Sequence, residues 1–173
     1  MNLLTGNDAD EFFGGCEPEF ARQLLHQASV QPEEAGALLW SAQALAPQSL
    51  GIYYAIYKHH ARRREFEDAE RAARRGLQEA ARQAGLPADW RTATRANLPP
   101  GIDFHADGVA RFWLFTLKAL AFIALRSGRP DDARALLAQI ATLAPDAKIG
   151  HEVIATMLAS TQAPHGGAPG ASP

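Results

Sequence analysis

Apolar residues recur at three- and four-residue steps through most of the chain, the period of an amphipathic helix. Phe20, Ala21, Leu24, Leu25 and Ala28 share one face of a segment from Glu17 to Ala28, with Pro18 in its first turn. A second segment opens at Pro32 and runs through Ala46, with Glu33 and Glu34 where acids favour the helix dipole; Pro47 ends it. The third, Ser49 to Arg63, carries Tyr53, Tyr54, Ile56 and Tyr57. The fourth runs from Glu65 towards Ala84, with Glu67–Arg71 and Glu70–Arg74 at the favourable i,i+4 spacing, and stops at Gly85-Leu86-Pro87. Helix five covers Asp107 to Ser127 and is closed by Gly128; helix six starts at Pro130 and ends before Pro145. A last helix, Ala147 to Ser160, has Ile149, Val153, Ile154, Met157 and Leu158 for one face. No stretch alternates with period two. The pattern predicts an all-α protein of seven helices, with antiparallel neighbours across short turns.

Three stretches fall outside the pattern. Residues 1–15 are polar and glycine-containing and read as a flexible N-terminal arm, from which Phe12 and Phe13 could tuck onto the first helix. Residues 161–173, TQAPHGGAPGASP, read as a disordered tail. Residues 85–108 hold three prolines and two glycines beyond Gly85, and are longer than most connections in a compact domain. They form an irregular insertion within a helical domain spanning 16–160.

One spacing returns along the chain. Ala35, Leu39, Ala42 and Pro47 are matched 34 residues on by Ala69, Ala73, Gly76 and Ala81, and again by Ala133, Leu137, Ile140 and Pro145. Proline stands three residues before the small residue in two units, at Pro32 and Pro130. Both the period and the small residue where two helices cross resemble tetratricopeptide (TPR) repeats. LKALAFIALRSGRPDDARALLAQIATLAP is the most specific piece; Gln23, Tyr57 and Ile140 depart from the family's small-residue positions. The resemblance implies a short TPR-like right-handed helical solenoid of about three helix pairs plus a capping helix. The stretch from Tyr53 through Trp90 to Phe112 is also similar to small proteobacterial members that sit among nitrogen-fixation genes.

Composition changes this picture little. The chain has 173 residues, 47% of them hydrophobic, with a formal net charge of −2 and no basic excess to draw it onto nucleic acid. A lone cysteine, Cys16, excludes a disulfide framework, and a cytoplasmic setting follows as the expectation. The N-terminus lacks the pattern of a secretory signal. The most apolar run, Phe112 to Leu125, is shorter than a bilayer requires and contains Lys118, so it reads as a buried helix with no membrane span.

Candidate chemistry is sparse. No zinc, calcium or phosphate-loop motif occurs, and no nucleophile–base set can be proposed from spacing. His59 and His60 are adjacent, so on a helix they point about 100° apart, which argues against their sharing one ion. His26 and His60 are expected to pack between helices or face water. No metal, no cofactor and no catalytic residue is implied, so the chain is not expected to be an enzyme. Arg62, Arg63, Arg64, Arg71, Arg74 and Arg75 are interleaved with Glu65, Glu67, Asp68 and Glu70, which is the composition of a solvated face.

The resemblance implies that the first helix of each pair lines a concave groove. Its positions fall on Phe20, Leu24 and Gln27, then Tyr54, Lys58 and Arg62, then Lys118, Phe122 and Arg126. Lys118 matches one lysine of the family's carboxylate clamp, but Lys58 and Phe122 stand where the clamp has asparagines. A basic and aromatic groove suits a protein or peptide partner carrying acidic groups. Trp90, Arg91, Arg95, Phe104 and His105 of the insertion could close over this groove as a lid, fill it, or be disordered. The expectation is a non-catalytic adaptor or assembly factor, with an accessory role in nitrogen fixation or metallocluster protein maturation as an alternative. Two further alternatives are an RNA-associated factor using the arginine face and an accessory enzyme using His105 on the loop. Self-association through helix five would give a homo-oligomer.

Overall fold

The computed structural model describes residues 13–15, 17–147 and 149–162. Cys16, Phe12, the rest of the N-terminal arm and the tail beyond 162 lie outside the described residues. Among those described, the chain forms seven α-helices and no strand: α1 (Glu19–Val30), α2 (Ala35–Leu45), α3 (Leu50–Arg62), α4 (Phe66–Ala84), α5 (Gly108–Arg126), α6 (Pro130–Leu143) and α7 (His151–Gln162). Each packs on the next in sequence, and α3–α5 and α5–α7 also touch.

The middle helices show why. On α4 the buried positions are Ala69, Ala72, Ala73, Gly76, Leu77, Ala80 and Ala81, a stripe of mostly small residues, while most of the remainder is charged. Small side chains let α3 and α5 approach α4 closely. The repeated positions Ala35, Ala69 and Ala133 are all buried. α5 is apolar on nearly every side and buries Phe112, Trp113, Leu114, Leu117, Leu120 and Ile123. By length and composition this 19-residue helix could cross a membrane, being longer than the apolar run alone suggests, yet here it is the central element of the core.

Helix starts depart most from the sequence pattern in two places. Residues 32–34 form a turn, and α2 begins only at Ala35. The last helix starts at His151, after Gly150 with φ of 73°, rather than at Ala147. Phe13 does not lie on the first helix. It is buried against Tyr54, Phe112 and Phe115, with ring centroids 5.3, 5.0 and 6.0 Å away. Gly108 makes that possible, since a β-carbon there would stand 2.4 Å from the Phe13 carbonyl.

The 85–108 segment is ordered by local side-chain-to-backbone bonds. Asp89 accepts from Arg91 N, Asn97 accepts from Thr94 N and donates to Thr92 O, and Asp103 accepts from His105 N and Ala106 N. Asp107 accepts from Val109 N and Ala110 N and so caps α5. Its apolar residues turn inward: Trp90, Ala93 and Phe104 are buried, and Phe104 stacks on Trp113 at 6.1 Å. Gln139 of α6 donates to the carbonyls of Trp90 (3.0 Å) and Ala93 (2.6 Å), and Arg95 donates to Thr142 O. Nearby, Arg129, the residue just before α6, pairs with Glu70 of α4. Burial pushes the Glu70 carboxyl up, but hydrogen bonds from Arg129 and Arg74 outweigh that and hold it below its ordinary value.

Candidate functional site

The contacts of α3, α5 and α7 leave a cleft of about 510 Å³ along their shared side. Tyr54, Tyr57, Lys58 and Arg62 come from α3, one and two turns apart. Phe115, Lys118 and Phe122 come from α5 at the same spacing, and Val153, Ile154 and Met157 of α7 form the third wall. No carboxylate lines the cleft among the described residues.

Its cations lie over its aromatics. Lys118 Nζ is 4.0 Å from the Phe115 ring centroid and donates to Ile149 O; Lys58 Nζ is 5.3 Å from the Tyr54 ring. Burial, and then the charge of Lys58, lower Lys118 to about 8. Burial and Arg62 lower Lys58 as well. Burial raises the Tyr57 phenol well above its ordinary value, so it stays a neutral part of the floor. The arrangement can hold an anion beside apolar groups, since a bound carboxylate would relieve the repulsion between the cations.

Five of the nine groove residues read from sequence therefore meet: Tyr54, Lys58, Arg62, Lys118 and Phe122. The other four do not line the cleft. Phe20 on α1 is 44% exposed, Leu24 packs partly on the core, and Gln27 is exposed, because α1 contacts α2 and is not part of the α3–α5–α7 side. Arg126 sits at the end of α5, over the rings of Phe66 (5.9 Å) and Phe122 (5.8 Å). The lid expectation is corrected too. Trp90, Arg91, Arg95, Phe104 and His105 belong to a segment held on α6 and the α5 core, and none of them lines the cleft. Phe115 and the α7 wall were missed: α7 reads as a cap, and its apolar face gives no sign of being shared with a cleft.

The arginine face is largely engaged within the protein. Arg63 pairs with Glu65, Arg71 with Asp68, and Arg74 with Glu70. Arg71 and Arg75 lie over the Trp40 ring at 5.4 and 5.5 Å. Glu67–Arg71 is not among the ion pairs of the described residues, Arg71 having taken Asp68 instead.

A second cluster lies at the end of α3. His60 is buried, and its Nε2 accepts from Trp40 Nε1–H at 3.2 Å. An indole only donates, so the ring proton is on Nδ1, which donates to Glu65 at 2.6 Å. His26, its counterpart, is exposed. Arg64 brings Glu65 back. It holds φ of 62°, and its N–H bonds Ala61 O while Glu65 N–H bonds His60 O, the two bonds of a Schellman turn in which glycine is usual. His59 joins the cluster, its ring centroid 5.1 Å from that of His60. Adjacent histidines are expected to point too far apart to share one ion; in the fold, one ligand atom each from His59, His60 and Glu65 lies within 4.8 Å of the others.

No protein-family model matches the chain, and no solved structure does. The chain is similar to a protein of Azotobacter chroococcum mcd 1 described as an uncharacterized 19.8 kDa protein in the nifW 5′ region, with 29% identity over 143 residues. That match covers 83% of this chain and 76% of the other.

Proposed function

We propose that this protein is a non-catalytic adaptor or assembly factor, a short TPR-like solenoid whose α3–α5–α7 cleft holds a peptide segment of its partner. The observation that carries this reading is a cleft walled by aromatic and aliphatic side chains and furnished, among the described residues, with Lys58, Arg62 and Lys118 but no carboxylate. A segment alternating acidic and apolar side chains satisfies both features, through charge-assisted hydrogen bonds and burial. The solenoid reading draws support from the burial of Ala35, Ala69 and Ala133 and from the contacts of α5 with both α3 and α7. The relative's place in a nifW region supports an accessory role in nitrogen fixation. An RNA-associated role has less behind it, because Arg63, Arg71 and Arg74 are paired with acids of their own face.

The test is a fluorescence-polarisation survey of short acidic, basic and neutral peptides against the wild type and a Lys58→Glu, Lys118→Glu variant. Acidic peptides with apolar neighbours should bind, and the variant should lose them while keeping its helical circular dichroism. Equal binding by the folded variant, or preference for basic peptides, would overturn the reading.

A further inference from the structure

We propose that His59, His60 and Glu65 form a binding site for one late transition-metal ion of the zinc or nickel class. The site is separate from the cleft and independent of the function proposed for it. Two imidazoles and one carboxylate are the donor set that such ions accept. One ligand atom from each residue already lies within 4.8 Å of the others, against about 3.3 Å between donors around a tetrahedral ion, so the three donors must draw closer and water would fill the fourth position.

The local structure is arranged for convergence. The left-handed Arg64 returns Glu65 over the helix end, against the conformational preference of a residue with a side chain. Gly36 of α2 faces both rings: a β-carbon there would be 3.6 Å from His59 Nε2 and 3.8 Å from His60 Cε1. Glu65 already turns one oxygen to His60 Nδ1 at 2.6 Å and the other to Arg63 Nε at 2.8 Å, so its carboxylate stands at the cluster and an ion would take an oxygen from one of these partners. Two of the three donors are imidazole nitrogens, which suits zinc or nickel rather than calcium or magnesium, whose ions need several oxygen donors.

Binding has a built-in reporter. Both ring nitrogens of His60 are engaged, so the ion must displace a partner. If it takes Nδ1, the ring proton moves to Nε2 and Trp40 loses its acceptor. If it takes Nε2, it replaces Trp40 directly. Trp40 is disturbed in both cases.

The experiment is calorimetric titration of the full chain with Zn²⁺ and with Ni²⁺, alongside tryptophan fluorescence, on the wild type, His59→Ala, Glu65→Gln and Trp40→Phe. His59 is only half-buried and Glu65→Gln keeps the shape, so both variants should fold, which circular dichroism checks. One ion per chain is expected, with at least tenfold weaker binding in His59→Ala and in Glu65→Gln. A fluorescence change on metal addition should be absent in Trp40→Phe. Absence of saturable binding to the wild type, or wild-type affinity in either folded ligand variant, would overturn the site.

Discussion

Gly76 faces Tyr53 so closely that a β-carbon added to it would lie 2.8 Å from Tyr53 Cβ, and 3.0 Å from Phe112 Cζ on the other side. This is where α3 and α5 both press on α4. The neighbours cannot easily yield, because Tyr53 is fixed by donating to Pro47 O at 2.7 Å and accepting from Gln43. Gly76→Ala should therefore destabilise the fold. The helix gains about 1 kcal/mol from alanine, against about 1–3 kcal/mol for overpacking. A lower thermal midpoint checks this; a raised one would show that the three helices can separate freely.

At Arg64 the opposite sign is expected. A left-handed residue with a β-carbon costs about 1–2 kcal/mol, and glycine relieves that at some cost in unfolded-chain entropy. Arg64→Gly should stabilise the protein by about 1 kcal/mol, seen as a higher denaturant midpoint, provided the side chain adds nothing in the fold. An unchanged or lower midpoint would mean that the arginine itself holds the turn.

Much of the helical order was legible because it rests on local pattern. The stripe on α4 and the apolar run of α5 are read directly from residue spacing, and Pro130 and Gly85 mark ends by their own backbone limits. What was not legible depends on partners distant in sequence. Nothing around Trp90 announces that Gln139 will take its carbonyl. Tyr54, Lys58, Arg62, Lys118 and Phe122 could be placed on one side because the repeat resemblance assigns their positions on two helices to a common groove. The α7 wall could not, since its apolar residues read equally well as a cap. The His59–His60–Glu65 convergence was hidden for a different reason: the turn that makes it has arginine where glycine would have signalled it.

The 85–108 segment is tied to α6 in part by Gln139, whose amide serves the carbonyls of both Trp90 and Ala93. Gln139→Leu keeps the bulk and removes the amide; Trp90 O keeps its bond from Ala93 N–H, whereas the part-buried Ala93 O loses this donor at a cost of about 1–3 kcal/mol if water does not reach it. Hydrogen exchange should accelerate for backbone amides of residues 91–97, with little change in α3 and its cleft. Equal acceleration throughout would mean that the segment and the helices open as one unit.

The proton on Lys118 should make stability depend on pH in a defined direction. In the unfolded chain a lysine keeps its proton to about pH 10.4, whereas in the fold burial and Lys58 lower Lys118 to about 8. Between those values the unfolded state binds more protons, so folding stability rises with pH. Below about 8 both states are protonated, and Lys118 is at its least favourable. Glu152 of α7 acts against the shift but is the smaller influence. Lys58 is lowered too and adds a slope of the same sign, while Tyr53, Tyr54 and Tyr57 are raised and act in the opposite direction only as pH passes 10. Urea unfolding between pH 7 and 9.5 should thus show stability rising in the wild type and a distinctly shallower rise in Lys118→Met. That variant should also be the more stable of the two at pH 7, where it no longer buries a cation. Parallel profiles would show that Lys118 keeps an ordinary lysine's proton and faces water, contrary to its place over Phe115.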